Sequence, residues 1–105
     1  MAQLTSKDLA PHIMSTSVVT VTTSGTRVQL ASDKCRMVRV VNNNESYKII
    51  VGDDTVAKAG LSDPAIGQVL GRFESIVIPV TNANELYLDS DTDGAKAYVE
   101  ILGDR

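Results

Sequence analysis

Phe73-Glu74-Ser75-Ile76-Val77-Ile78-Pro79-Val80 is the centre of the stretch that decides the fold, which runs from Tyr47 to Gly94. Ahead of it, Tyr47-Lys48-Ile49-Ile50-Val51-Gly52-Asp53-Asp54 reads as a strand ending in an acidic turn, followed by a glycine-punctuated loop. Behind it, Thr81-Asn82-Ala83-Asn84 turns the chain into Glu85-Leu86-Tyr87-Leu88-Asp89. Short β-branched runs bounded by Gly, Asn and Asp suit pleated, half-buried surfaces and mark an all-β protein.

Working outward, the same grammar covers most of the chain. Val19 and Val21 alternate with Thr20 and Thr22, Ser24-Gly25 supplies a turn, and Val28 and Leu30 alternate with Arg27 and Gln29. That pattern predicts a hairpin with one wet face. In Cys35 to Val41, Val38 and Val40 share one face while Met37 and Val41 share the other, which predicts a strand in mid-sheet or at a subunit contact. At the far end, Ala95, Ala97, Val99 and Ile101 alternate with Lys96, Tyr98 and Glu100. The count is seven to eight short strands, and the expected fold is a single antiparallel β-sandwich of the jelly-roll or immunoglobulin-like kind.

Two segments fall outside this pattern. Residues 1–16 are read as an N-terminal arm and 17–105 as the sandwich domain. Pro11 stops any long helix begun at Ser6, and Leu4, Leu9, Ile13 and Met14 are too apolar for a purely solvated tail. These four are the candidate partner contacts, docking on a neighbouring subunit or host surface; the alternative is a terminus packed on its own domain. Asp53 to Arg72 is long for a loop and carries Gly60, Pro64, Gly67 and Gly71, so it either binds something or covers the end of the core.

Length and charge bound the rest. The chain has 105 residues and fits one domain, with ten basic and thirteen acidic side chains giving a net charge of −3. Without a basic block to neutralise phosphates, no nucleic-acid partner is expected. No apolar run approaches the roughly 18 to 20 residues that cross a bilayer, so no membrane span is expected. Lys7 and Asp8 interrupt what a signal peptide would keep apolar, and the single cysteine, Cys35, forms no internal disulfide. The expected location is the cytoplasm, or a particle assembled there.

The chemistry-bearing candidates are few. Asp89-Ser90-Asp91-Thr92-Asp93-Gly94, with Glu100 beyond it, matches the letters of a calcium-binding EF-hand loop. The twelfth ligand of such a loop folds back from the start of a helix, whereas Ala95 to Leu102 alternates with period two. At ~3.3 Å per residue, an extended run carries Glu100 more than ~20 Å from Asp93. An acidic, solvated hairpin turn is expected, with weak cation binding by Asp89, Asp91 and Asp93 as the alternative. His12 and Cys35 are the one conventional base and nucleophile, but a hydrolase needs them in hydrogen-bond reach with a third group orienting the histidine. His12 lies in the unpatterned arm and Cys35 heads a strand, so packing is the expected role. Gly67-Gln68-Val69-Leu70-Gly71 lacks the lysine and hydroxyl of a phosphate loop. Tyr47, Phe73, Tyr87 and Tyr98 are the whole aromatic content, expected in the core or at interfaces. No enzyme and no cofactor is expected.

The succession Val38-Arg39-Val40-Val41-Asn42, Tyr47-Lys48-Ile49-Ile50-Val51-Gly52-Asp53, Ile76-Val77-Ile78-Pro79-Val80, Asn84-Glu85-Leu86-Tyr87-Leu88 and Gly94-Ala95-Lys96-Ala97-Tyr98-Val99 resembles the small β-sandwich virion proteins of tailed bacteriophages. These include head decoration (cement) proteins and related head-fibre or tail accessory proteins. The resemblance covers Ser17 to Leu102. It implies a non-enzymatic capsid protein, commonly a trimer, that binds the major capsid protein on the outer shell and bridges capsomers, with the terminal arm helping to anchor it. A soluble carbohydrate- or calcium-binding sandwich, or a tail or baseplate component, is the alternative.

Overall fold

The computed structural model describes residues 12–57 and 67–103. Eight strands follow one another: β1 (His12–Val21), β2 (Val28–Gln29), β3 (Met37–Val41), β4 (Ile49–Gly52), β5 (Gln68–Leu70), β6 (Ser75–Ile78), β7 (Tyr87–Ser90) and β8 (Ala95–Gly103). They form two antiparallel four-stranded sheets, sheet A in the order β1-β8-β3-β6 and sheet B in the order β2-β7-β4-β5. The expected all-β sandwich is therefore what the chain builds. Its pairings are nested: first with last, second with seventh, third with sixth, fourth with fifth. This is the order of a jelly roll, in which one long doubled-over ribbon wraps into two sheets, and it separates the fold from the immunoglobulin-like alternative.

The core lies between the sheets because each strand turns one parity of side chains inward. Val38 and Val40 of β3 and Val99 and Ile101 of β8 face Ile49 and Val51 of β4 and Leu88 of β7, all of them buried. The period-two reading of Ala95 to Leu102 holds for the faces: Ala95, Ala97, Val99 and Ile101 point in, with Lys96 and Tyr98 exposed on the opposite side and Glu100 on that side but buried. The expected mid-sheet position of Met37 to Val41 is likewise observed, β3 lying between β8 and β6.

Several local expectations are overturned. Val19 to Leu30 is not a hairpin: β1 pairs with β8 in sheet A, and β2 pairs with β7 in sheet B. The Ser24-Gly25 segment is instead a corner between sheets, with Gly25 at φ 93. β1 begins at His12, so His12 to Thr16, read as the end of the arm, pair with β8; Leu4 and Leu9 lie outside the described residues. The Asp53 to Arg72 loop contains β5, three residues held between Gly67 and Gly71. Phe73 is in the turn before β6, not in the strand.

The connection from β6 to β7 is fixed locally. Asn82 caps a short 3-10 turn, Ala83–Glu85, its side chain accepting from the Asn84 amide, while Glu85 reaches back to the amides of Thr81 and Asn82. These two reciprocal contacts satisfy donors that the turn would otherwise leave open. The hydrogen bonds that Glu85 accepts, from the Asn82 amide and from the hydroxyl and amide of Thr81, hold its carboxyl below the ordinary glutamate range. On the opposite connection, buried Asn42 donates its side-chain amide to the carbonyls of Tyr47, Leu70 and Gly71, tying the end of β3 to sheet B.

Candidate functional site

The outer faces of the two sheets differ, and the candidate site is the outer face of sheet A. Because Ala95, Ala97, Val99 and Ile101 point inward, their neighbours Lys96, Tyr98, Glu100 and Leu102 define the outside, and the strand register places the rest. Ile13, Leu102 and Met37 form one row across the sheet, Thr16, Glu100, Arg39 and Val77 the next, and Val18, Tyr98, Val41 and Ser75 a third. Ile13, Val18, Val77 and Tyr98 are four of the six exposed large apolar side chains among the described residues. An apolar sheet face turned to solvent is a signature of an interaction surface.

At its centre is one ion pair. Arg39 and Glu100 sit directly across from each other on β3 and β8, and the Arg39 guanidinium donates to a Glu100 carboxylate oxygen. The Glu100 side chain is 10 % exposed and the arginine 41 %, so the pair is half-desolvated among apolar neighbours. Beside it an open cleft of about 400 Å³ lies between Val18, Arg39, Val41, Asn43 and Tyr98. Tyr47 closes one wall, its hydroxyl accepting from the Lys96 amide and donating to the Lys96 carbonyl.

Two further large apolar side chains are exposed outside these rows. Met14 occupies the bulge where the β1–β8 register shifts between Ile13 and Ser15, and its side chain packs over Gly103. Phe73 projects from the β5–β6 turn, 60 % exposed and at φ 58. A left-handed conformation costs a residue with a Cβ roughly 1–2 kcal/mol, and bulky side chains rarely adopt it. A strained, solvent-facing phenylalanine is therefore a pointer to a role outside the fold.

Of the four contacts expected from the sequence, Ile13 and Met14 sit on or beside this face and are about half exposed; Leu4 and Leu9 lie outside the described residues. Phe73 and Tyr98, expected in the core or at interfaces, are exposed, while Val18 and Val77 were not singled out. The one signal for these two was apolar residues at both parities, visible in Met37 to Val41.

The other candidates do not converge. Asp89 and Ser90 are fully buried in β7, and the Asp89-to-Gly94 segment is a crossing between sheets and not a hairpin, although Asp91 to Gly94 are exposed as expected. One Asp89 oxygen accepts from the amides of Gly25 and Ser90, Asp93 accepts from the Ser24 amide, and Asp91 accepts from the Lys48 amide. Asp89 and Asp93 thus latch the Ser24-Gly25 corner and Asp91 the start of the β4 segment, and among the described residues no acidic, histidine or cysteine cluster takes the form of a metal site. Cys35 packs against the core and donates its thiol to the Val80 carbonyl at 3.4 Å. Burial pushes that thiol up, with Asp33 and Glu85 adding to the rise, opposite to the shift that activates a nucleophilic cysteine.

Comparison of the chain with protein-family models, with curated proteins and with solved structures gives no match.

Proposed function

We propose that this chain is a non-enzymatic structural protein of a phage virion, a capsid decoration protein that binds the outer shell of major capsid protein and bridges neighbouring capsomers. The observation that carries the reading is the outer face of sheet A, where Ile13, Val18, Val77 and Tyr98 stand exposed around a single ion pair. An exposed apolar sheet face suits a protein surface, and the sequence resemblance supplies the class of partner.

Its action needs no bond chemistry. A protein that binds only the assembled shell stabilises it by RT ln(1 + [L]/Kd) per site, and many such sites on one lattice add. The net charge of −3 favours solubility of the free subunit. On contact, the apolar residues supply the favourable term, roughly 25 cal/mol for each Å² of apolar surface removed from water. The Arg39–Glu100 pair sets position more than affinity, since a charge pair under a contact disfavours misaligned docking.

The test is to mix the purified protein with shells assembled from the major capsid protein alone and follow sedimentation and thermal disruption. Saturable co-sedimentation and a higher disruption temperature, both retained in chelator and both weakened by Val77→Glu, are the expected results. Failure to bind, or equal binding by Val77→Glu, overturns the assignment.

A further inference from the structure

From the edges of the two sheets we infer that the chain forms a two-fold homodimer through β1, pairing edge to edge with β1 of a second copy and with Val18 meeting its own counterpart at the centre. A strand at a sheet edge presents unpaired amides and carbonyls, and proteins protect such edges with short strands, proline or charge. Three of the four edges here are protected. β2 has two residues, β5 three, and β6 four, followed at once by Pro79.

β1 has none of these three devices, and its one bulge, at Met14, lies near its start and leaves Ser15 to Val21 regular. It runs ten residues, His12–Val21, at the edge of sheet A, and the sequence HIMSTSVVTV contains no Asp, Glu, Lys, Arg or Pro. From Ile13 to Val18 every side chain is exposed, including the inward-facing Ser15 and Ser17, which line an open cleft with Leu30, Asp33 and Ala83. The occupant follows from the chemistry. Unpaired backbone groups in extended form are matched by another strand, and an uncharged strand can meet its own copy without like-charge opposition despite a net charge of −3 per chain.

The register follows as well. An antiparallel pair related by a two-fold axis matches residue i with residue j at constant i + j. Outer-face side chains meet outer-face side chains only when that sum is even, since a one-residue slip exchanges faces. An even sum places a residue opposite itself. The regular part of β1 runs from Ser15, just past the bulge, to Val21, and its midpoint is Val18. Val18 is 61 % exposed on the outer face, and a valine pair is a favourable cross-strand partner. In this arrangement Thr16 meets Thr20, and two copies of sheet A become one eight-stranded sheet with a continuous outer face. The pairing depends on this edge alone, not on what the dimer binds.

Sedimentation equilibrium of the full chain tests the state, and single thiols test the register. A dimer is expected. Directly opposite residues have Cα atoms about 4.5–5.5 Å apart, within the span of a disulfide. Val18→Cys in a Cys35→Ser background should therefore give a covalent dimer under mild oxidation. Thr20→Cys in the same background should not, its thiols lying about 13 Å apart along the strands. Val18→Lys, which sets two like charges face to face, should weaken the dimer at least about tenfold with an unchanged circular dichroism spectrum, while Val18→Thr should preserve it. A monomer or a trimer in the parent chain, a lysine variant that dimerises as tightly, or cross-linking at position 20 as fast as at 18 overturns the inference.

Discussion

The outer faces of the two sheets treat their apolar side chains in opposite ways. On sheet B, Ile50 points away from the inter-sheet core and is nevertheless fully buried, because the chain beyond β4 folds back over it. Val56 is buried there too, and Gly67 lies so close that an added Cβ would stand 2.8 Å from Ile50 Cγ1 and 2.9 Å from Val56 Cγ2. Asp89, on the same outer side, is sealed under the Gly25 corner. On sheet A, Val18, Val77 and Tyr98 hold the equivalent outward positions and stand in solvent. The chain thus shelters Ile50 on one outer sheet face with Val56 and Gly67 and leaves Val18, Val77 and Tyr98 on the other in solvent, which divides the side chains that serve the fold from those proposed to serve contact.

That division is open to a direct attempt to break it. If the covered face belongs to the fold, Ile50→Ala should cost about 2–5 kcal/mol, the range for truncating a fully buried aliphatic side chain. Chemical denaturation of the two proteins with an unchanged slope checks it. A loss below about 1 kcal/mol would mean that the Val56 and Gly67 segment gives little shelter to sheet B, and the contrast between the faces would collapse.

The ion pair on the open face sharpens the comparison at an intermediate level. Arg39→Ala leaves Glu100, largely buried among apolar neighbours, without its partner, and should cost about 1–3 kcal/mol. Replacing both, Arg39→Met with Glu100→Met, should recover most of that loss, since a hydrophobic pair of similar volume is often as stable as a desolvated ion pair. Thermal melts of the single and double variants decide it. A double variant as unstable as the single one would make the pair a structural tie, and not a feature of the contact surface.

The sequence announced these regions unequally, for physical reasons. Inward faces were legible wherever a strand is long enough to show its period, as in Ala95 to Ile101, because burial acts on every second residue. The topology was not, since β1 finds its partner at the far end of the chain and no local signal distinguishes that from a hairpin with β2. β5 was missed because three residues between two glycines show no period. The acidic letters from Asp89 to Asp93 suggested a solvated turn or an ion, while their partners at Ser24, Gly25 and Lys48 are 69, 64 and 43 positions away. Of the contact face, the double-sided apolar pattern of Met37 to Val41 was visible, but an outward Val18 or Val77 is identified only once the register is known.

The smallest effect on stability is expected where the open face meets solvent. Val77, about half exposed on β6, should tolerate replacement by serine within about 0.5 kcal/mol, in contrast to Ile50 on the other sheet. The same variant should lower the affinity for capsid shells measured by co-sedimentation. Stability and binding then separate at one residue, and a Val77→Ser chain that melts early would place this side chain with the fold after all.

Phe73 offers the sharpest version of that separation, because the two readouts should move in opposite directions. At φ 58 glycine adopts the turn without a Cβ penalty, whereas phenylalanine holds it at a cost of roughly 1–2 kcal/mol. Glycine loses more chain entropy on folding, which takes back about 0.5–1 kcal/mol, so Phe73→Gly should leave the melting temperature unchanged or raise it slightly. With 60 % of the ring already in solvent, little packing is forfeited. Shell binding should fall, since an aromatic side chain retained at a strained, exposed position contributes nothing that the isolated fold requires. A glycine variant that is clearly less stable than the parent would show that the ring supports the β5–β6 turn, and would remove Phe73 from the contact surface.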